Sequence, residues 1–178
     1  MSSSLVGSEM CIRDSSVART RNTPILMVPS MHADLAEDPV TDDIVQAVSH
    51  QGVHVLWGPE EEGKRKTPPS DHIVATLAHH VNASRPGRKN VVITLGATRS
   101  PVDDVRHVQN TSSGNTGWAL ADHLHKHGHD VTCVAGITTV AAPAWLPLVL
   151  KCPTPERMLR ECVALANDPI DALSLIHI

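Results

Sequence analysis

Hydrophobic residues along this chain fall in short uninterrupted runs separated by amphipathic stretches. That is the pattern of strands covered on both faces alternating with surface helices. Pro24–Pro29 (PILMVP) is the first buried-strand run, and Asp43–His50, with apolar Ile44, Val45 and Val48, suits a short amphipathic helix. Gly52 ends that helix and Val53–Trp57 reads as the next strand. The stretch EEEGKRKTPPSD that follows carries opposed charge runs and reads as a solvated loop. Asp71 can cap a helix over His72–Val81, and Asn82–Lys89 has the composition of a linker, so the chain divides near residue 84.

A second series begins with the strand Val91–Leu95, followed by a long polar loop and a helix over Gly117–His127 with Gly128 as its C-cap. Val131–Ala135 is the next strand, which makes a βαβ unit and implies a parallel, Rossmann-like α/β sheet. Beyond a proline-rich loop, Pro147–Lys151 reads as a strand and Pro155–Ala166 as a helix with Thr154 as N-cap. The pattern ceases to be informative at Asp171.

The two ends share a different origin. A DNA sequence encoding Glu9 and Met10–Ser15 (MCIRDS) can be written so that its opposite strand encodes LSLIHI, the residues Leu173–Ile178. Residues 1–15 and 173–178 are therefore expected to be translated adapter sequence and are set aside from fold prediction. The remaining organisation is 16–83 and 84–172, the middle of a longer protein.

Composition narrows the function classes. The formal net charge is −4, without the basic field of a dedicated nucleic-acid binder. Phe and Tyr are absent, so any core relies on Val, Leu, Ile and Ala with three Trp. Outside the adapter-like ends the cysteines are Cys133, Cys152 and Cys162, an odd set without CxxC, which points to buried thiols in a reducing, cytoplasmic setting. Val131–Leu150 is uncharged and long enough for a membrane span, but Gly136, Pro143 and Pro147 break it, so no membrane association is expected. His123 and His127 share a helix face as zinc pairs do, yet no carboxylate or cysteine at motif spacing completes a site. The cluster His123, His125, His127, His129 is expected at a solvated helix C-terminus, and no metal ligand is assigned.

Candidate chemistry concentrates in Gly96–Gly117. A strand entering a glycine loop that opens a helix presents free backbone N–H groups to an anion. Gly96, Ala97, Thr98, Ser112, Ser113, Gly114 and Gly117 are the nucleotide- or phosphate-binding candidates. Within the intervening insert, Arg106 offers a forked donor for phosphate or carboxylate, and Asn110 an amide that can orient an acyl group. Arg99 can do the former or simply pair with Asp103 or Asp104, and Asn110 can equally be a turn residue. No acid ends the Val131–Gly136 strand to hold a ribose, which argues against a nicotinamide site.

The ordered run Val92-Ile93-Thr94-Leu95-Gly96-Ala97-Thr98-Arg99-Ser100-Pro101-Val102-Asp103-Asp104-Val105-Arg106 through Asn110 to Ser112-Ser113-Gly114 resembles the opening of phosphopantothenate–cysteine ligase. In many bacteria that ligase is the C-terminal half of a bifunctional coenzyme A biosynthesis protein, behind a flavin-dependent phosphopantothenoylcysteine decarboxylase. Pro29-Ser30-Met31-His32 resembles the decarboxylase's Pro-Ala-Met-Asn signature. The resemblance implies the tail of a flavodoxin-like α/β domain followed by the start of the Rossmann-like ligase domain. It further implies CTP and Mg²⁺ for the ligase, FMN for the decarboxylase, 4′-phosphopantothenate and cysteine as substrates, and a homodimer. Arg106 and Asn110 occupy motif positions around the acyl-cytidylate and are the catalytic candidates.

Departures from the family pattern are specific. His32 stands where the family has asparagine, and Glu60–Lys66 stands where a mobile Ala-Cys-Gly segment supplies a proton donor. Ser100 and Asp104 replace the usual glutamate and proline. A degenerate decarboxylase part is therefore expected, and the lysine and cytidine pocket of the ligase are expected beyond this chain. Two alternatives stay open: a nicotinamide-dependent oxidoreductase, and a non-catalytic flavoprotein-like module.

Overall fold

The computed structural model describes residues 16–18 and 20–175, so the adapter-like residues 1–15 and 176–178 lie outside the described residues. The chain separates into two compact units, residues 1–73 and 74–178.

In the first unit, β1 (Ile25–Met27) and β3 (Val53–Val55) pair in parallel across the helix α2 (Pro39–His50). The helix begins earlier than its apolar periodicity predicts. Asp38 caps it by accepting from the Val40 N–H at 2.8 Å, and Pro39 fits the first turn, where an N–H would have no partner. A second small sheet joins β2 (Met31–His32), β5 (Lys64–Arg65) and β4 (Glu60–Glu61), with α1 (Ala33–Ala36) following β2.

The expected solvated loop is thus partly a hairpin. Glu62 and Gly63 both adopt positive φ, as a tight two-residue turn requires, and its charges close across the strands. Arg65 lies 3.5 Å from Glu60, and Lys66 lies 3.0 Å from Glu61 and 3.3 Å from Glu62. The run of like charges hid the pairing because its complement follows only a few residues later.

Buried hydrophobic side chains among the described residues all lie from Ala75 onward. The helix α3 (Ser70–Ala83) contributes its later turns to the second unit. There, β6 (Asn90–Leu95), β9 (Asp130–Ala135), β10 (Leu148–Lys151) and β11 (Ala172–Leu175) form one parallel sheet in the order β10-β9-β6-β11. The helices are α4 (Asn115–Lys126), after β6, and α5 (Pro155–Leu165), after β10.

Alternate residues of β6 serve two cores. Val91, Ile93 and Leu95 pack with Trp118 and Ala121 of α4, while Val92 packs with Val134, Cys152 and Met158 of α5. Coverage on both faces explains why the strand is uniformly apolar, and each such side chain contributes roughly 1.5–3 kcal/mol on burial. Gly117 permits the close approach of α4, because a Cβ there would strike the Leu95 side chain. Thr154 caps α5 as expected, accepting from the Arg157 N–H at 3.3 Å.

Two further departures concern the second unit. Leu173–Leu175, set aside as adapter sequence, lie in β11, with Ala172 opposite Val91 and Leu173 opposite Val92. Asp171 fixes that register by accepting from the Lys89 ammonium at 2.9 Å and the Asn90 N–H at 2.8 Å.

The four histidines do not share one solvated end. His123 and His127 are exposed, on one face, with ring centroids 4.2 Å apart. His125 is only 5% exposed and stacks on His79 at 4.0 Å, nearly parallel. The His79 ring donates from Nδ1 to the His125 carbonyl at 2.8 Å, and the Asn82 amide donates to the Lys126 carbonyl at 2.7 Å. Thus α3 satisfies carbonyls at the α4 C-terminus that would otherwise face water, which buries His125. No group of three or more His, Cys, Asp or Glu side chains suited to a metal ion occurs among the described residues.

Candidate functional site

The insert expected as a loop is largely an antiparallel hairpin, β7 (Arg99–Pro101) against β8 (His107–Gln109). Asp103 organises its tip, accepting from the backbone N–H groups of Val105 at 3.0 Å and Arg106 at 2.6 Å. The same carboxylate pairs with the Arg106 guanidinium, at 2.6 Å from Nε and 2.5 Å from the terminal nitrogen. Those contacts, the guanidinium foremost and then the two N–H groups, hold the Asp103 carboxyl below its usual range. Arg99 pairs with neither Asp103 nor Asp104. Its side chain donates to Gln109 at 3.1 Å, and its backbone N–H anchors the hairpin root to the Pro153 carbonyl at 2.8 Å.

Below the hairpin the chain returns to the end of β6. Asn110 Oδ1 accepts from the Thr98 N–H at 2.8 Å, spending the acceptor of its amide and keeping the NH₂ as donor. Ala97 is 1% exposed, and its N–H and carbonyl both bond to Ile137, at 2.8 and 2.7 Å. The Ala97 and Thr98 amides therefore frame the loop and are engaged within the protein. Gly96, at φ +82°, lies so close to Ile137 and Thr138 that a Cβ would sit 2.9 Å from both.

The remaining phosphate candidates converge. Gly96, Ser112, Ser113, Gly114 and Gly117 line a cleft of about 90 Å³, together with Leu95, Asn115 and Thr116. Gly114 is the N-cap of α4 at φ +81°, without a side-chain cap. Ser113 accepts from the Asn115 N–H at 3.3 Å, and no acid occupies the first turn. Free N–H groups and an unopposed helix dipole favour an anion there. Arg106 lines neither this cleft nor the larger cavity beside it.

That larger cavity, about 600 Å³, sits at the C-terminal ends of β9 and β10, lined by Trp118, Gly136, Thr138, Lys151 and Cys152 among others. The sequence patterns missed Thr138, which separates the Gly96 and Gly114 backbones, and missed Lys151 as a cation beside a cavity. The signal was available: ligands of open parallel sheets lie beyond the carboxyl ends of their strands. Burial pushes the Cys133 thiol up to about 12 and also raises those of Cys152 and Cys162, so all three are poor nucleophiles.

In the first unit, the Pro29-Ser30-Met31-His32 segment is taken up by its own neighbours. Met31 and His32 pair with Arg65 and Lys64, and the Ser30 hydroxyl donates to the Arg65 carbonyl at 3.2 Å. The candidate flavin motif thus lies against the charged Glu60–Arg65 hairpin. A nearby hollow of about 220 Å³ is lined by Ala36, Asp42, Trp57 and Arg65. No helix among the described residues is long and apolar enough to cross a membrane.

Comparison with known proteins follows the same division. Residues 11–82 match the Flavoprotein family model, and residues 87–173 match the model of the DNA/pantothenate metabolism flavoprotein C-terminal domain. The coenzyme A biosynthesis bifunctional protein CoaBC of Thermococcus kodakarensis is 30% identical over 138 residues, covering 78% of this chain and 34% of that protein. The CoaBC of Mycobacterium tuberculosis is 33% identical over 143 residues, covering 73% and 34%. A crystal structure of the C-terminal domain of a CoaBC protein is similar with a TM-score of 0.48 at 28% identity, over 54% of this chain and 47% of that one. The chain spans about a third of the length of these curated relatives. With both domain types present, consecutively and in this order, the chain belongs to the bifunctional CoaBC family of coenzyme A biosynthesis and carries the junction between its two parts.

Proposed function

We propose that this chain is part of a CTP-dependent ligase that joins 4′-phosphopantothenate to cysteine. The observation that carries the proposal is the cleft at the α4 N-terminus, where Gly96, Ser112, Ser113, Gly114 and Gly117 meet around free backbone donors. Such a cradle fits the phosphates of a nucleotide, and Mg²⁺ would be held chiefly through those phosphates.

A carboxylate is a poor acyl donor until an oxygen becomes part of a leaving group. In the proposed reaction the phosphopantothenate carboxylate attacks the α-phosphorus of CTP and pyrophosphate departs. The cysteine amine then attacks the acyl carbon, and CMP leaves as the amide forms. Asn110, its oxygen fixed by Thr98, offers its NH₂ to the oxygen that gains charge in the second step. Arg106 binds a phosphate or carboxylate by exchanging Asp103 for it. Working as a homodimer in the cytoplasm belongs to the same proposal.

The first unit, in the same proposal, does not decarboxylate. Its flavin-motif residues are committed to the Glu60–Arg65 hairpin, so no step through FMN is derived. A nicotinamide oxidoreductase is less favoured, since β9 ends on Ala135 and is followed by Gly136, with no carboxylate at either position.

The test is pyrophosphate release from CTP and Mg²⁺ by a full-length protein containing this segment. Release that requires 4′-phosphopantothenate, with CMP formation completed by cysteine, is expected. A folded protein that binds NADPH tightly and releases no pyrophosphate would overturn the proposal.

A further inference from the structure

Glycine gives the cleft at the α4 N-terminus its room but not its stiffness. Gly96 and Gly114, at φ +82° and +81°, line it from two segments of the chain, one following β6 and one opening α4. Neither has a side chain to confine its own backbone, and glycine moves between backbone wells more freely than any other residue. Donors that must hold one geometry before an anion arrives therefore need a neighbour to hold them.

That neighbour is Thr138, on the segment that follows β9. Its Cγ2 methyl stands between the two glycines. A Cβ on Gly96 would lie 2.9 Å from it, and a Cβ on Gly114 would lie 2.5 Å from it. The segment is fastened to both walls of the cleft. On the β6 side, the Gly136 N–H donates to the Leu95 carbonyl at 2.8 Å, and Ile137 exchanges two bonds with Ala97. On the α4 side, the Thr139 N–H donates to the Ser113 carbonyl at 3.2 Å. Thr138 itself lines the larger cavity and not the cleft. Its hydroxyl has a separate task, donating to the Val140 carbonyl at 3.0 Å. That carbonyl also accepts from the Trp118 indole N–H at 3.2 Å, so it keeps a donor if the hydroxyl is removed.

We propose that Thr138 is a positioning residue for the phosphates of the nucleotide, its methyl group wedging Gly96 and Gly114 at the spacing the anion requires. The role rests on the ligase reading of the cleft. Thr138 takes no part in bond making and does not touch the anion. It acts before binding, by restricting two backbones that would otherwise have to be ordered when the nucleotide arrives. A bound nucleotide then holds both walls itself, so the effect falls on affinity and not on turnover of the filled site.

Two substitutions separate the methyl from the hydroxyl. Thr138→Ser keeps the hydroxyl and loses the methyl, whereas Thr138→Val does the reverse. In pyrophosphate release by the full-length protein, Thr138→Ser should raise the KM for CTP about tenfold, with kcat and the KM for 4′-phosphopantothenate within about twofold of the wild type. Thr138→Val should bring the KM for CTP back to within about twofold of the wild type, and Thr138→Ala should match the serine variant. Any other order of the three variants would overturn the proposal, as would a loss carried by kcat.

Calorimetric titration of the same proteins with tripolyphosphate and Mg²⁺ reads the cradle without turnover. Weaker binding by the serine and alanine variants, with wild-type binding by the valine variant, is expected. A wild type that binds in that order yet releases no pyrophosphate would sink the ligase reading and leave the role of Thr138 standing. Equal affinity in all four proteins, or no binding by the wild type, would overturn the role itself.

Discussion

Lowering the pH from neutral to about 5 should loosen the second unit, and His125 should account for most of the effect. Its pKa falls from 6.5 to about 4, first because burial disfavours the cation and then because His79 lies against it. The native state therefore takes up this proton less readily than the unfolded chain. The associated stability is complete above the unfolded value near 6.5 and is lost as the pH falls toward 4. At about 1.4 kcal/mol per pKa unit, the full displacement corresponds to about 3 kcal/mol, of which about 2 kcal/mol is gone by pH 5. Asp130, Asp103 and Asp171 shift in the opposite sense to that of a raised carboxyl: their pKa values fall from 3.8, so their stabilisation fails only in stronger acid. The interval between pH 7.5 and 5 thus isolates the imidazole from them. Urea unfolding at the two pH values, followed by Trp118 and Trp145 fluorescence in a Trp57→Phe background, measures the difference. His125→Leu should lose most of that pH dependence. An unchanged slope in the variant would show that the stacked pair does not carry the linkage.

Other consequences are open to direct measurement. Gly117→Ala drives a methyl group into Leu95 and should cost about 1–3 kcal/mol in unfolding free energy, seen as a lower melting midpoint. Asn110→Asp keeps the acceptor for Thr98 but removes the NH₂ donor. In the full-length protein it should preserve the fold while cutting cysteine-dependent CMP release by about a hundredfold or more, and normal turnover would remove Asn110 from the proposed chemistry. Asp171→Ala should speed amide exchange in β11 more than in β9, because the clamp on Lys89 and Asn90 acts on the edge strand alone. Asp38→Ala should destabilise α2 by about 1 kcal/mol through loss of its cap, which thermal unfolding of the first unit would register.

The strands and helices that bury side chains were legible because burial leaves a period in the sequence. Val91–Leu95 announced a strand covered on both sides, and Thr154 announced the start of α5. Features held by polar contacts were not legible. The hairpins at Glu60–Arg65 and Arg99–Gln109 depend on turn geometry, paired charges and the Asp103 carboxylate, none of which changes the hydrophobic pattern. His125 looked solvated because its neighbours in sequence are polar, whereas its neighbour in space is His79, 46 positions away. The candidate site was half legible for a similar reason. The glycines and serines around α4 stand out in the sequence and line one cleft, but only the structure shows the Ala97 and Thr98 amides already engaged.

The capping of α4 by His79 and Asn82 bears on how the C-terminal domain is best excised for separate study. Composition places the cut in the linker after Ala83, and a domain trimmed there would part with both caps. Two helix-end carbonyls would be stripped of their donors, and the His125 ring would be laid open. The tight turn at Gly128, too close to Asn82 for any side chain, would face solvent as well. A version beginning at Ser70 keeps the whole of α3 as a strap across that end. The covalent seam between the two halves and the seam of their folding are thus offset by about a helix.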